Sequence, residues 1–103
     1  MELKEKIRLN SLYDIYGELL TEKQRTYFEY YYLSDYSLSE ISELLKVSRN
    51  AVHMQLKNVV SHLEHYEKTL NMLQKNQKIR KIIDQINKDE TTLEDVKQEL
   101  EKV

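Results

Sequence analysis

The sequence predicts an all-α protein built on a helix-turn-helix, and three observations lead there. Proline is absent and glycine occurs once, at Gly17, in 103 residues. The strongest helix breakers are therefore almost missing, while Leu, Lys, Glu and Gln, all good helix formers, are abundant. Runs of β-branched residues bounded by turn residues, which strands would need, are not found. Finally, "SLSEISELLKVSRNAVHMQLK", residues 37–57, has the rhythm of a short helix, a tight turn and a second helix.

The elements follow in order. A first helix is expected over 3–19, with Ile7, Leu12, Ile15, Tyr16 and Leu19 on its apolar side. Thr21 and Gln24 have capping-box spacing, so the next helix starts at about 22 and runs to about 33. Projection at the helical period puts Leu20, Gln24, Tyr27, Phe28 and Tyr31 on one side, with Tyr30 and Tyr32 on its flanks. Glu22, Arg25 and Glu29 point away. A platform for stacking nucleobases would be interleaved with Lys and Arg. Tyr27, Phe28 and Tyr31 are therefore expected in the core, and Tyr30 and Tyr36 are the candidates for ligand contact.

Ser37 can cap a helix over 38–45, with Ile41, Leu44 and Leu45 inward. Lys46 and Val47 form the turn, and Ser48 caps the helix that starts at Arg49. Its apolar stripe is Val52, Leu56, Val59 and Leu63, continuing through Tyr66, Leu70 and Leu73 as one long helix or two in line. The phase breaks at 75–77, and Ile79, Ile82, Ile83 and Ile86 begin a new helix. "NKDETT" is a polar break. Thr92 then caps a terminal amphipathic helix carrying Leu93, Val96, Leu100 and Val103. The expected division is a helix-turn-helix domain over 1–73 and a charged helical extension over 74–103.

The net charge of −2 argues weakly against a general polyanion binder, but the distribution is segmented. No acid lies between Glu43 and Glu64, a window that holds Lys46, Arg49 and Lys57. From 71 to 88 Lys75, Lys78, Arg80, Lys81 and Lys88 face one acid, Asp84. From 89 onward six acids face Lys97 and Lys102.

Several classes are disfavoured. There is no cysteine, hence no disulfide framework or thiolate metal site. The charged start, "MELKEKIRLN", has no signal-peptide core, and no apolar run approaches the roughly 20 residues of a spanning helix. A soluble cytoplasmic chain is expected. His62 and His65 stand at i and i+3 without a third metal ligand and read as surface histidines. Asp89 and Glu90 read as a solvated turn. No nucleophile sits with a base, and no glycine-rich loop exists to cradle phosphate. No enzyme activity, metal or cofactor is expected.

In a helix-turn-helix the first helix braces the second, a hydrophobe plugs the angle between them, and the second helix puts its N-terminal outer face into the major groove. Ile41, Val47, Val52 and Leu56 supply the core contacts here, and Ser42 is small where the helices approach. Ser48 caps the reading helix, whose free N–H groups suit a phosphate. Asn50, His53, Met54 and Lys57 project outward, and Arg49 flanks the helix start. Arg and Lys suit phosphate or guanine, Asn can pair with adenine, and Met can touch a thymine methyl.

The stretch "LTEKQR…YYLSDYSLSEISELLKVSRNAV" resembles the region of sigma factors that binds promoter −35 elements, and response-regulator output domains. That resemblance implies a three- to four-helical core without a wing. The motif usually has glycine where Lys46 stands, so a slightly altered turn is expected. Over most of the chain the sequence is similar to the YlxM family of small bacterial helix-turn-helix proteins. The family resemblance implies an all-helical cytoplasmic DNA-binding regulator, whose gene usually neighbours those of the signal recognition particle. The leading reading is a DNA-binding regulator linked to protein targeting. The alternative is an accessory protein that binds the RNA or protein component of that particle, favoured by the basic stretch 75–88. Nucleic acid is the expected partner, DNA ahead of RNA. The long apolar stripe packs either on the chain's own first and last helices or on a second copy, and a homodimer is the favoured expectation.

Overall fold

A computed structural model describes residues 2–88 and 93–103. The described residues form six α-helices and no strand: α1 (Leu3–Tyr16), α2 (Glu22–Phe28), α3 (Leu38–Leu45), α4 (Arg49–Leu70), α5 (Met72–Asn87) and α6 (Leu93–Glu101). A 3₁₀ turn, Gly17–Leu19, follows α1, and a π-helical turn, Glu29–Leu33, extends α2. Among the described residues no helix is long and apolar enough to cross a membrane. The chain divides into two compact units, Met1–Leu70 and Asn71–Val103. The polar break through Asp89, Glu90 and Thr91, and the cap at Thr92, lie outside the described residues.

In the first unit α4 is the spine, and α1, α2 and α3 all pack on it. Its row Val52, Leu56, Val59 and Leu63 is buried against them, as the periodicity predicts. The next buried position is Glu67, where the 4–3 pattern expected Tyr66. A straight helix drifts by about 20° per heptad from a strict 3.5 repeat. After two heptads the inward direction therefore falls between Tyr66 and Glu67, and Glu67 takes the buried place. The Glu67 carboxylate, only 7% exposed, accepts a hydrogen bond of 2.7 Å from the Tyr16 hydroxyl. Nearby, Arg8 donates to both Glu64 oxygens, at 3.1 and 2.9 Å. These bonds, helped by the Glu67 charge, raise the Arg8 pKa despite partial burial.

The apolar face of α1 is Leu9, Leu12 and Tyr16, at spacings of three and four. Ile7 and Leu19, expected inward, are exposed. Ile7 lies across the helix from that row, and the 3₁₀ turn rotates Leu19 outward and Leu20 inward. Gly17 is explained by a close approach. A Cβ there would sit 3.2 Å from the Tyr13 ring, which itself stacks on Phe28 with centroids 4.3 Å apart.

The capping box at Thr21 forms, with Thr21 Oγ1 accepting from Gln24 N–H and Gln24 Oε1 accepting from Thr21 N–H. The aromatic run corrects the projection. Tyr27, Phe28 and Tyr32 are buried, and Tyr31 is only half-buried. The cause is the π turn, sealed by Ser34 N–H donating to Glu29 C=O at 2.9 Å. An i→i+5 turn is wider than an α turn and advances less angle per residue. Tyr32 thereby replaces Tyr31 at the centre of the inward face. Its ring stacks on Phe28, at 4.6 Å between centroids.

The second corrected boundary lies after α4. Asn71 takes left-handed φ and ψ of 57° and 30°, a conformation Asn tolerates better than most residues. It ends α4 at Leu70, and α5 starts at Met72, not beyond 75–77. Leu73 therefore does not share a helix with Leu70. In the second unit α5 and α6 pack on each other. Ile82 is the buried residue of α5, and α6 has none.

Candidate nucleic-acid interface

The turn between Leu33 and α3 is set by local chemistry. Asp35 has φ of 57° and is held by an ion pair with Lys6 of α1. The Tyr30 and Tyr36 rings stack face to face, 5.2 Å apart and 9° from parallel. One face of each proposed ligand-contact tyrosine is thus covered by the other. Ser37 Oγ then accepts from Glu40 N–H, and Glu40 Oε1 accepts from Ser37 N–H, a full capping box at the start of α3.

Ile41 is fully buried and anchors α3 on α4. Leu44, expected on the inward side of α3, and Val47, expected among the core contacts of the motif, are exposed. An eight-residue helix brings little more than one apolar row inward, and Ile41 occupies it.

Lys46 keeps the left-handed geometry of a glycine turn, with φ of 56° and ψ of 46°. The expected alteration is absent. Ser42 holds the turn from both sides: its C=O accepts from Val47 N–H at 3.1 Å, and its hydroxyl donates to Val47 C=O at 2.7 Å. Two bonds to one residue offset the roughly 1–2 kcal/mol that a side chain costs in this region. The small Ser42 is therefore a clasp for the turn as well as a residue that lets helices approach.

Ser48 caps α4, its Oγ accepting from Ala51 N–H at 3.0 Å. The first turn of α4 has no acid, so the positive end of the helix is unopposed locally. Ser48, Arg49, Asn50, His53, Met54 and Lys57 are all exposed. Arg49, His53 and Lys57 form one row at i, i+4 and i+8. Asn50 and Met54 form a parallel row, which Asn58 extends. Asn58 was not among the expected residues, although the four-residue spacing would have found it. Met54 is 49% exposed at the centre of this polar face. Beside the rows lies a shallow hollow of about 250 Å³ whose walls include Tyr31, Leu38, His53 and Lys57.

His62 and His65 are exposed, and both rings lie near Tyr66. Among the described residues no group of three His, Cys, Asp or Glu side chains is placed to hold a metal ion.

A helix capped by Ser48, braced by α3 across a left-handed turn and seated by Val52 and Leu56, defines the chain as a helix-turn-helix protein. The comparisons then give the family. Residues 3–103 match the UPF0122 family, described as "Putative helix-turn-helix protein, YlxM / p13 like", and the chain belongs to it. It is 53% identical over 77 residues to a UPF0122 protein of Thermoanaerobacter pseudethanolicus, covering 75% of this chain and 66% of that protein. A UPF0122 protein of Geobacillus sp. is 48% identical over 84 residues, 82% of this chain and 76% of its own length. One of Listeria innocua is 49% identical over 79 residues, 77% and 72% of the two chains. The chain thus spans just under two thirds of the Thermoanaerobacter relative.

Proposed function

We propose that this chain is a cytoplasmic DNA-binding regulator that reads duplex DNA with the N-terminal half of α4. The observation that carries the reading is the acid-free exposed face from Arg49 to Lys57, directly behind the Ser48 cap. In the major groove Arg49 and Lys57 would take phosphates or guanine. Asn50 would take adenine, His53 a phosphate or base edge, and Met54 a thymine methyl. The protein works as a homodimer, which sets two α4 N-termini about one DNA turn apart. It is not an enzyme. The resemblance to YlxM proteins supports a role in control of the protein-targeting machinery of the signal recognition particle.

One observation favours the second reading, an accessory protein of that particle that grips its RNA. Lys75, Lys78, Arg80 and Lys81 are all exposed on α5, and A-form RNA is held by shape and phosphate contacts.

Gel shifts separate the two, with mixed-sequence duplex DNA and duplex RNA of equal length over a salt series. The DNA reading expects binding to DNA that weakens in Arg49→Ala and in Lys57→Ala. Each lost phosphate contact should reduce the slope of log affinity against log salt by about 0.9. DNA binding unchanged in both variants, or binding to RNA alone, would overturn it.

A further inference from the structure

The second unit carries apolar side chains that its own two helices leave in water. On α5, Ile83 is 48% and Ile86 44% exposed, on the flank of the buried Ile82. On α6, Leu93, Val96 and Leu100 share one face at spacings of 3 and 4, yet no residue of α6 is buried. Leu93 is 87% exposed. A nine-residue helix lies below the roughly 12–15 residues at which isolated helices become even marginal, so α6 needs cover to persist.

The two helices also carry opposite charge. Within α5, Lys75, Lys78, Arg80 and Lys81 stand against Asp84. Within α6, Glu94, Asp95, Glu99 and Glu101 stand against Lys97. A partner of one charge sign would match only one of them. A two-fold axis brings each patch of a surface onto the matching patch of its copy, so residue i meets j and j meets i. Basic α5 then meets acidic α6 twice, and the open Ile and Leu faces are covered together.

We propose that α5 and α6 form a self-association surface, with α5 of one copy seated on α6 of the other around a two-fold axis. The inference gives the proposed homodimer its interface and rests on that part of the reading. It also moves the seam away from α4, whose stripe from Val52 to Leu63 is already buried within the first unit.

The test is sedimentation equilibrium of the full chain freed of nucleic acid, so that a failure here is separate from any failure to bind DNA. The wild type should reach twice the 12.5 kDa chain mass as concentration rises. Ile83→Asp with Leu100→Asp should remain at the single-chain mass. All eight tyrosines lie between 13 and 66, so an unchanged near-ultraviolet dichroism spectrum shows that the first unit is intact. Charge reversal then tests the pairing. Lys75→Glu with Arg80→Glu, and separately Glu94→Lys with Glu99→Lys, should each be monomeric. An equimolar mixture of the two should regain the dimer mass, since each altered helix again meets its opposite. A wild type that stays monomeric, a dimer that survives the Ile83 and Leu100 changes, or a mixture that stays monomeric would each overturn the proposal.

Discussion

Residues up to Leu70 bury Leu12, Phe28, Ile41, Val52, Val59 and Leu63 completely, whereas α6 buries nothing. Both regions are helices rich in Lys and Glu, and although all nine Tyr and Phe residues lie in the first, composition alone does not bury a face. The difference lies in topology. In the first unit three elements converge on α4, so each apolar row meets another row. In the second, α5 and α6 pack on each other, and a helix pair offers one seam for two apolar faces. A buried Leu or Ile side chain contributes about 1.5–3 kcal/mol. The first unit therefore has the means to hold α4 rigid, and the second obtains less of this gain from its own two helices.

The largest expected effect lies in the aromatic core. Tyr32→Ala should cost the first unit about 3–5 kcal/mol, as for other buried aromatics. Tyr31→Ala should cost much less, because the π turn carries Tyr31 to the edge. At low protein concentration Ile83→Ala should shift the melting transition little, as for other exposed sites. Denaturant melts give all three values. Equal costs at Tyr32 and Ile83 would erase the contrast between the units, and a larger cost at Tyr31 than at Tyr32 would remove the π turn.

A second effect is confined to alkaline pH. Burial, helped by the hydrogen bond of 2.9 Å to Glu29, pushes the Tyr13 hydroxyl up to about 12. Burial also pushes Tyr32 up to about 12, with Tyr31 and Glu5 adding to it. Above pH 10 the unfolded chain loses these protons while the folded one keeps them. Stability is then lost as pH rises from about 10 to 12 and is unaffected by these groups below that window. Melts across this range should show the first unit failing, with the loss blunted in Tyr13→Phe. A flat profile would mean that these hydroxyls are as free in the fold as outside it.

The smallest effect sharpens the turn. Lys46→Gly removes a side chain from a left-handed position but frees the unfolded chain, so the net gain should be about 0.5–1 kcal/mol. A loss would show that the Lys46 side chain is needed where it stands.

Much of this was legible in the residues. The caps at Thr21, Ser37 and Ser48 are local, each decided within four residues, and all three form. The span of α3 and the start of α4 follow from them. The row Val52 to Leu63 was equally plain, since a 3.6 period over two heptads leaves little choice. What could not be seen were departures from ideal winding. The π turn moved the core from Tyr31 to Tyr32, helix drift put Glu67 in place of Tyr66, and a left-handed Asn71 ended α4. Each is selected by packing or by a single backbone conformation, for which a one-dimensional period carries no signal. The outward face of α4 was read correctly as exposed. A binding role is what we propose for that face.

The most direct test of that role is a nuclear magnetic resonance titration of the full chain with duplex DNA, followed at every backbone amide. The account predicts that shifts concentrate at 48–58, on the Arg49–His53–Lys57 and Asn50–Met54–Asn58 rows and the cap behind them, with those of α6 unmoved. Shifts confined to the lysines and arginine of 75–88, or none at all at low salt, would contradict it.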